Sequence, residues 1–264
     1  MLTDIMAIVR ETGKLIRNAD ISKAAIRQKT SKRDLCTACD IEVQTQLFDR
    51  LAKLLPEAQF IGEEQAVRPA VTNGWTFIID PIDGTANFAH DYRYSCISVA
   101  LVKDGSPVIG VVYNPYLDEL FYAEKGCGAY LNGLPIHVSG LPLSDALVAF
   151  GTSPYDLEYK RDTFALAEKV FEKSQDIRRT GSAALDLCHV ACGRLDGFFE
   201  LILRPWDYAA GSVILTEAGG VITTMENTEL SLVKDSSVCA ATPSAHAELL
   251  EIYRHYNEGK FFVK

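Results

Sequence analysis

The sequence predicts an α+β half followed by an α/β half. Three observations carry this. The middle of the chain is dense in short apolar runs separated by tight-turn signals, the pattern of antiparallel sheet. From residue 146 onward, apolar runs alternate with stretches of helical period, the pattern of α/β units. The 264 residues, 48% of them hydrophobic, suffice to bury a large core. The join is expected near residues 135–145, dividing the chain into units 1–138 and 139–264.

Leu2, Ile5, Met6, Val9, Leu15 and Ile16 form a stripe near helical period, which predicts a helix over 3–17. The polar run from Arg27 to Asp34 has no apolar period and reads as a loop or hairpin. Val43, Leu47, Leu51 and Leu54 share a face and Pro56 follows, which predicts a helix over 41–55. Trp75–Ile79 reads as a strand that ends abruptly in Asp-Pro. Strands at 95–102 and 108–113 flank Lys103-Asp-Gly-Ser-Pro107, a hairpin turn, and a further pair at 119–123 and 128–131 is closed by Asn132-Gly133. The second half predicts strands at 146–150, 197–201, 221–224 and 237–241, with helices at 160–173, 182–193, 207–218 and 244–256.

The formal net charge is −9 and the pI about 5.1. Nucleic-acid binding needs clustered Lys and Arg, so this chain is a poor candidate for it. A small anionic substrate is not excluded, provided something local neutralises it. Seven scattered cysteines do not read as a disulfide framework. The N-terminal stretch lacks the basic and apolar regions of a signal peptide, and no apolar run reaches the roughly 18 residues of a membrane span. A cytoplasmic protein is the expectation.

The segment Ile78-Ile79-Asp80-Pro81-Ile82-Asp83-Gly84-Thr85-Ala86-Asn87-Phe88 carries the chemistry. An apolar strand delivers two carboxylates, three residues apart, into an expected turn. Gly84 permits close backbone approach, and backbone N–H groups near Thr85 can hold a phosphate. Asp-Pro alone is an ordinary turn; the full Asp80–Thr85 string is far more specific. Upstream, Ile61-Gly62-Glu63-Glu64 is by itself an acidic loop. Downstream, in Trp206-Asp207-Tyr208-Ala209-Ala210-Gly211, Asp207 has the competing role of capping a helix that begins at Tyr208. Brought together, Glu63, Asp80, Asp83 and Asp207 would repel one another and a phosphate. Such a cluster is tolerable around hard cations, and a pair of Mg²⁺ ions about 3.5–4 Å apart can clamp both oxygens of an in-line phosphoryl displacement.

These three segments, in this order and spacing, resemble the signatures of the inositol monophosphatase family. Asp34-Leu35-Cys36-Thr37-Ala38-Cys39-Asp40 resembles a fourth family segment, and Gly181-Ser182-Ala183-Ala184-Leu185 a fifth. The resemblance runs from about residue 3 to residue 256. It implies a layered α-β-α-β-α sandwich of the sugar phosphatase type, a homodimer, and hydrolysis of a phosphate monoester with two or three Mg²⁺ ions. It implies that Glu63, Asp80, the Ile82 carbonyl, Asp83 and Asp207 hold the metal. Thr85 and Asp40, assisted by Glu63, orient the attacking water. The amides of Gly84 and Thr85 hold phosphate oxygens. Asp83, Ala183, Glu200 and Asp207 lie against substrate, and Lys29 matches a loop lysine near a third metal site. Asp40 also has a plain reading, as N-cap of a helix starting at Ile41. Ala86 departs from the family, which commonly has a second Thr there.

The remaining constellations are read as structural. Cys36-x-x-Cys39 has no second cysteine pair at zinc spacing. Cys188, His189 and Cys192 lie on a predicted buried helix, where small apolar packing is expected. The substrate expected is a small phosphorylated polyol, myo-inositol monophosphate first. The alternatives are fructose bisphosphate, NADP(H) or phosphoadenosine phosphate, and outside enzymes a metal- or partner-binding module on the same fold. The Ala183 segment and Glu200 favour a polyol phosphate.

Overall fold

The computed structural model describes residues 1–20, 27–28, 35–71 and 73–260. Helix α1 (Leu2–Asn18) buries Ile5, Val9, Thr12, Gly13 and Ile16, as its periodicity requires. Strands β1 (Arg27–Gln28) and β2 (Leu35–Cys36) pair antiparallel, and residues 29–34 between them lie outside the described residues. Helix α2 (Ala38–Leu54) begins three residues earlier than its apolar stripe indicates. Thr37 is the N-cap: its hydroxyl accepts from the N–H groups of Cys39 at 3.2 Å and Asp40 at 3.4 Å. In return the Asp40 carboxylate accepts from the Thr37 N–H at 2.8 Å and from the Thr37 hydroxyl. Asp40 is therefore the third helical residue of a capping box and not the cap itself.

A seven-stranded sheet follows, in the order β3 (Gln59–Gly62), β4 (Trp75–Asp83), β5 (Cys96–Lys103), β6 (Ser106–Asn114), β7 (Glu119–Glu124), β8 (Ala129–Leu131) and β9 (Leu134–Ile136). β3 runs parallel to β4, and every other pair is antiparallel. The β5–β6 turn is only Asp104-Gly105, and the β8–β9 turn is Asn132-Gly133. Both residues of each have positive φ (49° and 79°; 50° and 86°), the geometry that suits the right-handed strand twist. β6 thus starts at Ser106, and a register irregularity between Leu101 and Val102 absorbs Pro107.

The expected turn after Ile79 is instead a bulge. β4 stays on the sheet through Asp83: Asp80 opposes Ser98 and Asp83 opposes Cys96, so β4 carries one extra residue there. Pro81 has no N–H to give the ladder. Short α3 (Thr85–Ala89) leads away from the bulge.

The second sheet has the order β11 (Asp176–Arg178), β10 (Leu147–Phe150), β12 (Gly197–Leu203), β14 (Ser236–Ala241) and β13 (Val221–Thr223). β10 is parallel to both neighbours, and β14 is antiparallel to both of its own. The helices here are α4 (Lys160–Phe171), α5 (Ala183–Ala191), α6 (Pro205–Glu217) and α7 (Pro243–Lys260).

Three apolar clusters define five layers. α1 and α2 pack on the outer face of the first sheet through Val9, Leu47, Phe77 and Val111. α5 and α6 fill the space between the sheets, with Leu187, Ile214, Val112 and Phe198 in one cluster. α4 and α7 cover the far face of the second sheet through Leu166, Leu249 and Phe199. The result is the α-β-α-β-α sandwich. α6 lies directly on β6: a Cβ on Gly110 would sit 2.2 Å from the Ala210 carbonyl oxygen. Among the described residues, no helix is long and apolar enough to cross a membrane.

Candidate active site

A cleft of about 490 Å³ opens where the β4 bulge, α3, the N-termini of α5 and α6, and the end of β12 converge. Glu63, Asp80, Ile82, Asp83, Gly84, Thr85, Ala183, Glu200 and Asp207 all line it. Asp40 is fully buried behind Thr85. The structure thus gathers the sequence-derived residues from segments far apart in the chain.

The bulge explains how Asp80 and Asp83 face the same cleft. The Asp80 carboxylate accepts from the Ile82 N–H at 3.0 Å, which folds the bulge onto itself. Asp207 comes from the other side. α6 begins at Pro205, two residues before the expected start, so Asp207 sits in its first turn and accepts from the Arg204 N–H at 2.7 Å. One Asp207 oxygen caps its helix while the carboxylate still faces the cleft; capping and ligation need not compete.

Ligand atoms of Asp80, Asp83 and Asp207 all lie within 4.8 Å of one another. Burial pushes the Asp80 and Asp207 carboxyls well above the usual range, and the neighbouring carboxylates push them further. Asp83 rises to about 6, mainly through burial, against the opposing pull of hydrogen bonds from Ser182 and Ala184. Glu63 is the first of the neighbouring carboxylates that push Asp80 up. Of the cleft arginines, Arg204 pairs with Asp156 at 2.9 Å, while Arg179 donates to the neutral Thr152 hydroxyl at 3.0 Å and its charge pulls against the rise of the Glu200 carboxyl. Oxygens sharing one Mg²⁺ stand at most about 4.2 Å apart, given bonds of about 2.1 Å. The donor set therefore fits a hard divalent cation, all oxygen, acidic, and spaced to within a small closure.

The Thr85 hydroxyl lies 3.2 Å from an Asp40 oxygen and 3.1 Å from the Ile82 carbonyl. The second Asp40 oxygen is held by Thr37. Asp40 is thus an acceptor fixed from both ends, reaching the cleft through Thr85. Gly84 has φ of 89°, and a Cβ there would meet the Tyr94 carbonyl oxygen at 3.0 Å and the Gly181 carbonyl oxygen at 3.2 Å. Only glycine suits that turn without strain.

The opposite wall holds Glu200, buried at the middle of β12. Its carboxylate accepts from the Ser153 N–H at 2.7 Å and the Ser153 hydroxyl at 3.2 Å. Burial raises it to about 7. Gly151 makes room for it, since a Cβ there would overlap the carboxylate at 1.8 Å.

Several working residues carried no role in the sequence reading. Ser182 caps α5, accepting from the Leu185 N–H at 3.4 Å, and donates to Asp83 at 2.5 Å. Ala184 N–H adds a bond to the same Asp83 oxygen at 2.8 Å. Asn87 donates to the carbonyls of Tyr94 at 2.7 Å and Thr180 at 3.0 Å, tying α3 to the strand-to-helix loop before α5. The signal for Ser182 was present: a Ser directly before an apolar helical run is an N-cap pattern. Lys29 lies outside the described residues, as does the Cys36 side chain. The Cys39 thiol is pushed up to about 12 by burial, which disfavours its reactive thiolate.

The sequence matches the inositol monophosphatase family over residues 1–258. It is 36% identical, over 249 residues, to the inositol-1-monophosphatase of Bacillus subtilis (strain 168), covering 94% of each chain. Its fold superposes on the crystal structure of the extragenic suppressor protein suhB from Bartonella henselae with a TM-score of 0.88, at 32% identity, covering 95% of this chain and 97% of that one. A crystal structure of an IMPase/NADP phosphatase complexed with Mg²⁺ and phosphate matches with a TM-score of 0.83, at 26% identity, covering 92% and 90%. The five ordered segments converge on one acidic cleft, and the match runs nearly end to end: the chain belongs to the inositol monophosphatase family.

Proposed function

We propose that this chain hydrolyses a phosphate monoester of a small polyol, myo-inositol monophosphate first, with two or three Mg²⁺ ions held by Glu63, Asp80, the Ile82 carbonyl, Asp83 and Asp207. The observation that carries the reading is the trio Asp80, Asp83 and Asp207, whose ligand atoms lie within 4.8 Å of one another at the wall of the cleft. Bound there, Mg²⁺ neutralises the carboxylates and the phosphate and acidifies a water. Asp40 draws the Thr85 hydrogen inward, so the Thr85 oxygen offers its lone pairs to a water on the cleft side. Glu63, at the same wall, is the second acceptor for that water's protons. The Gly84 and Thr85 amides hold phosphate oxygens. Ala183 packs against the alcohol portion, and Glu200 accepts its hydroxyl hydrogens.

The residues divide into a metal-holding unit, 1–138, and a substrate-contacting unit, 139–264, which returns Asp207 to the metal side. We read the protein as cytoplasmic, and as a homodimer, the latter because the family resemblance implies it; light scattering on purified protein tests the dimer. A substrate panel with and without Mg²⁺ tests the reaction. It contains myo-inositol monophosphate, fructose bisphosphate, NADP(H), phosphoadenosine phosphate and p-nitrophenyl phosphate. Fastest turnover on the inositol ester, abolished by EDTA, is expected. No Mg²⁺-dependent turnover on any member would leave the non-catalytic binding module.

A further inference from the structure

The second-half wall of the cleft carries a turn whose two ends are tied to residues of the site. Ser153-Pro154-Tyr155-Asp156 closes through the Asp156 N–H, which donates to the Ser153 carbonyl at 3.0 Å. Pro154 occupies the second position, where its fixed φ suits a turn. The first residue is anchored on Glu200: the Ser153 N–H and hydroxyl lie 2.7 and 3.2 Å from its carboxylate, and the hydroxyl is also 3.1 Å from the Ile202 carbonyl. The last residue, Asp156, pairs with the Arg204 guanidinium at 2.9 Å. Arg204 is in turn the residue whose N–H donates to Asp207. Tyr155 stands between these anchors and, with Pro154, lines the cleft. The Arg204 guanidinium lies 5.6 Å from the centre of its ring, a cation–π contact that steadies it. Tyr155 is nevertheless 39% exposed, so an aromatic side chain is held at the cleft without being buried in the fold.

We propose that Tyr155 is a specificity-determining residue: its ring takes the apolar face of a cyclic alcohol portion, while Glu200, at the foot of the same turn, takes the hydroxyls. The proposal rests on the polyol-phosphate reading above and narrows it to ring-shaped esters. A cyclic polyol has two chemically different parts, hydroxyls around its edge and C–H groups on its faces. Covering the C–H groups with an aromatic ring removes apolar surface from water, and a flat side chain suits a flat partner. An open-chain polyol has hydroxyls but no such face. Glu200 alone reads hydroxyls and does not separate a ring from a chain; Tyr155 supplies that difference. Its hold on the turn is also rigid, since both ends are fixed by charged side chains, so the ring is in place before substrate enters.

The test compares kcat/KM for three esters, with Mg²⁺ present, on the full chain and on Tyr155→Ala, Tyr155→Phe and Glu200→Gln. Of the esters, myo-inositol 1-phosphate has a ring and hydroxyls, cyclohexyl phosphate a ring alone, and glycerol 2-phosphate hydroxyls alone. Tyr155→Ala is expected to lower the two ring esters about three- to tenfold, the worth of one small apolar face, and to leave glycerol 2-phosphate within about twofold. Tyr155→Phe should keep the wild-type order. Glu200→Gln should lower the two hydroxyl-bearing esters and spare cyclohexyl phosphate. An equal fall on all three esters in Tyr155→Ala, or no fall on any, would overturn the proposal. So would a fall confined to the hydroxyl-bearing esters, since the change would then act through Glu200. Loss of the ring preference in Tyr155→Phe would assign the effect to the hydroxyl and overturn it too. A wild-type chain with no Mg²⁺-dependent turnover on any of the three would overturn the phosphatase reading instead.

Discussion

Asp83 is held by three groups of the second half and the strand beside it: the Ser182 hydroxyl, the Ala184 N–H and, at 3.9 Å, the Cys96 thiol, all on one oxygen. That leaves the other oxygen for the cleft. Asp83→Asn keeps the volume and an acceptor for Ser182 and Ala184 but loses the charge. Its turnover should fall at least about 10²-fold, the scale of a catalytic electrostatic group, while its melting temperature in chelator does not fall. Turnover within about threefold of wild type would remove Asp83 from the centre of the mechanism. Glu200 is the opposite case, a residue of choice rather than chemistry. Glu200→Gln should lower kcat/KM for inositol monophosphate much more than for p-nitrophenyl phosphate, which has no hydroxyls to bond. An equal fall for both would assign Glu200 to the catalytic machinery or the fold. Its protonation gives a second readout. Burial raises the folded-state carboxyl to about 7, above its unfolded value, so the folded state holds the proton longer. Wild-type stability is then undiminished by this group at low pH and is lost as pH rises through 7. Glu200→Gln has no such loss, so in chelator its melting temperature should gain on wild type between pH 5 and pH 8. A difference independent of pH would contradict the burial argument.

At the scale of elements, the caps decide where the chemistry points. Asp40 and Asp207 occupy the same place, the first turn of a helix, each accepting from its own N-cap N–H. The same carboxylate thus closes a helix end and faces inward. Thr37→Ala should cost about 1 kcal/mol of stability for the lost cap. It should also lower kcat, because Asp40 loses the hydroxyl that fixes its far oxygen. Thr37→Ser should restore both, as urea unfolding and steady-state rates would show; an unchanged kcat in Thr37→Ala would separate the cap from the site. Helices α1, α4, α5 and α7 and the long strands were legible because apolar period and turn residues agree there. The starts of α2 and α6 were not, because Thr37 and Pro205 lie outside the apolar stripes. β9 and β11 have three residues each, too short to show alternation, and β3 was hidden by its proximity to the acidic loop. The carboxylates of the site were legible from their strings. Ser153, Gly151 and Asn87 were not, since their roles depend on what the fold sets opposite them: a Glu200 oxygen for the first two, two carbonyls for the third.

The whole molecule is two sheets sharing a helical middle layer. α6 belongs by chain order to the second half, yet it seats on β6 of the first sheet, where only Gly110 lets the Ala210 backbone approach. Its first turn carries Asp207 up to Asp80 and Asp83 of the first half. Folding of either sheet alone would leave that shared layer half covered. Heating should therefore give a single cooperative transition, and Mg²⁺ should raise it, by about 2.7 kcal/mol of stability at a hundredfold excess over its dissociation constant. Two resolved transitions, or a midpoint indifferent to Mg²⁺, would deny the coupling between layers and site. The most direct test of the account is phosphate release from myo-inositol monophosphate by chelator-stripped protein as Mg²⁺ is added back. The account predicts no release in EDTA and a rate that rises with Mg²⁺ to saturation. Full release in EDTA, or none at any Mg²⁺ concentration, would contradict it.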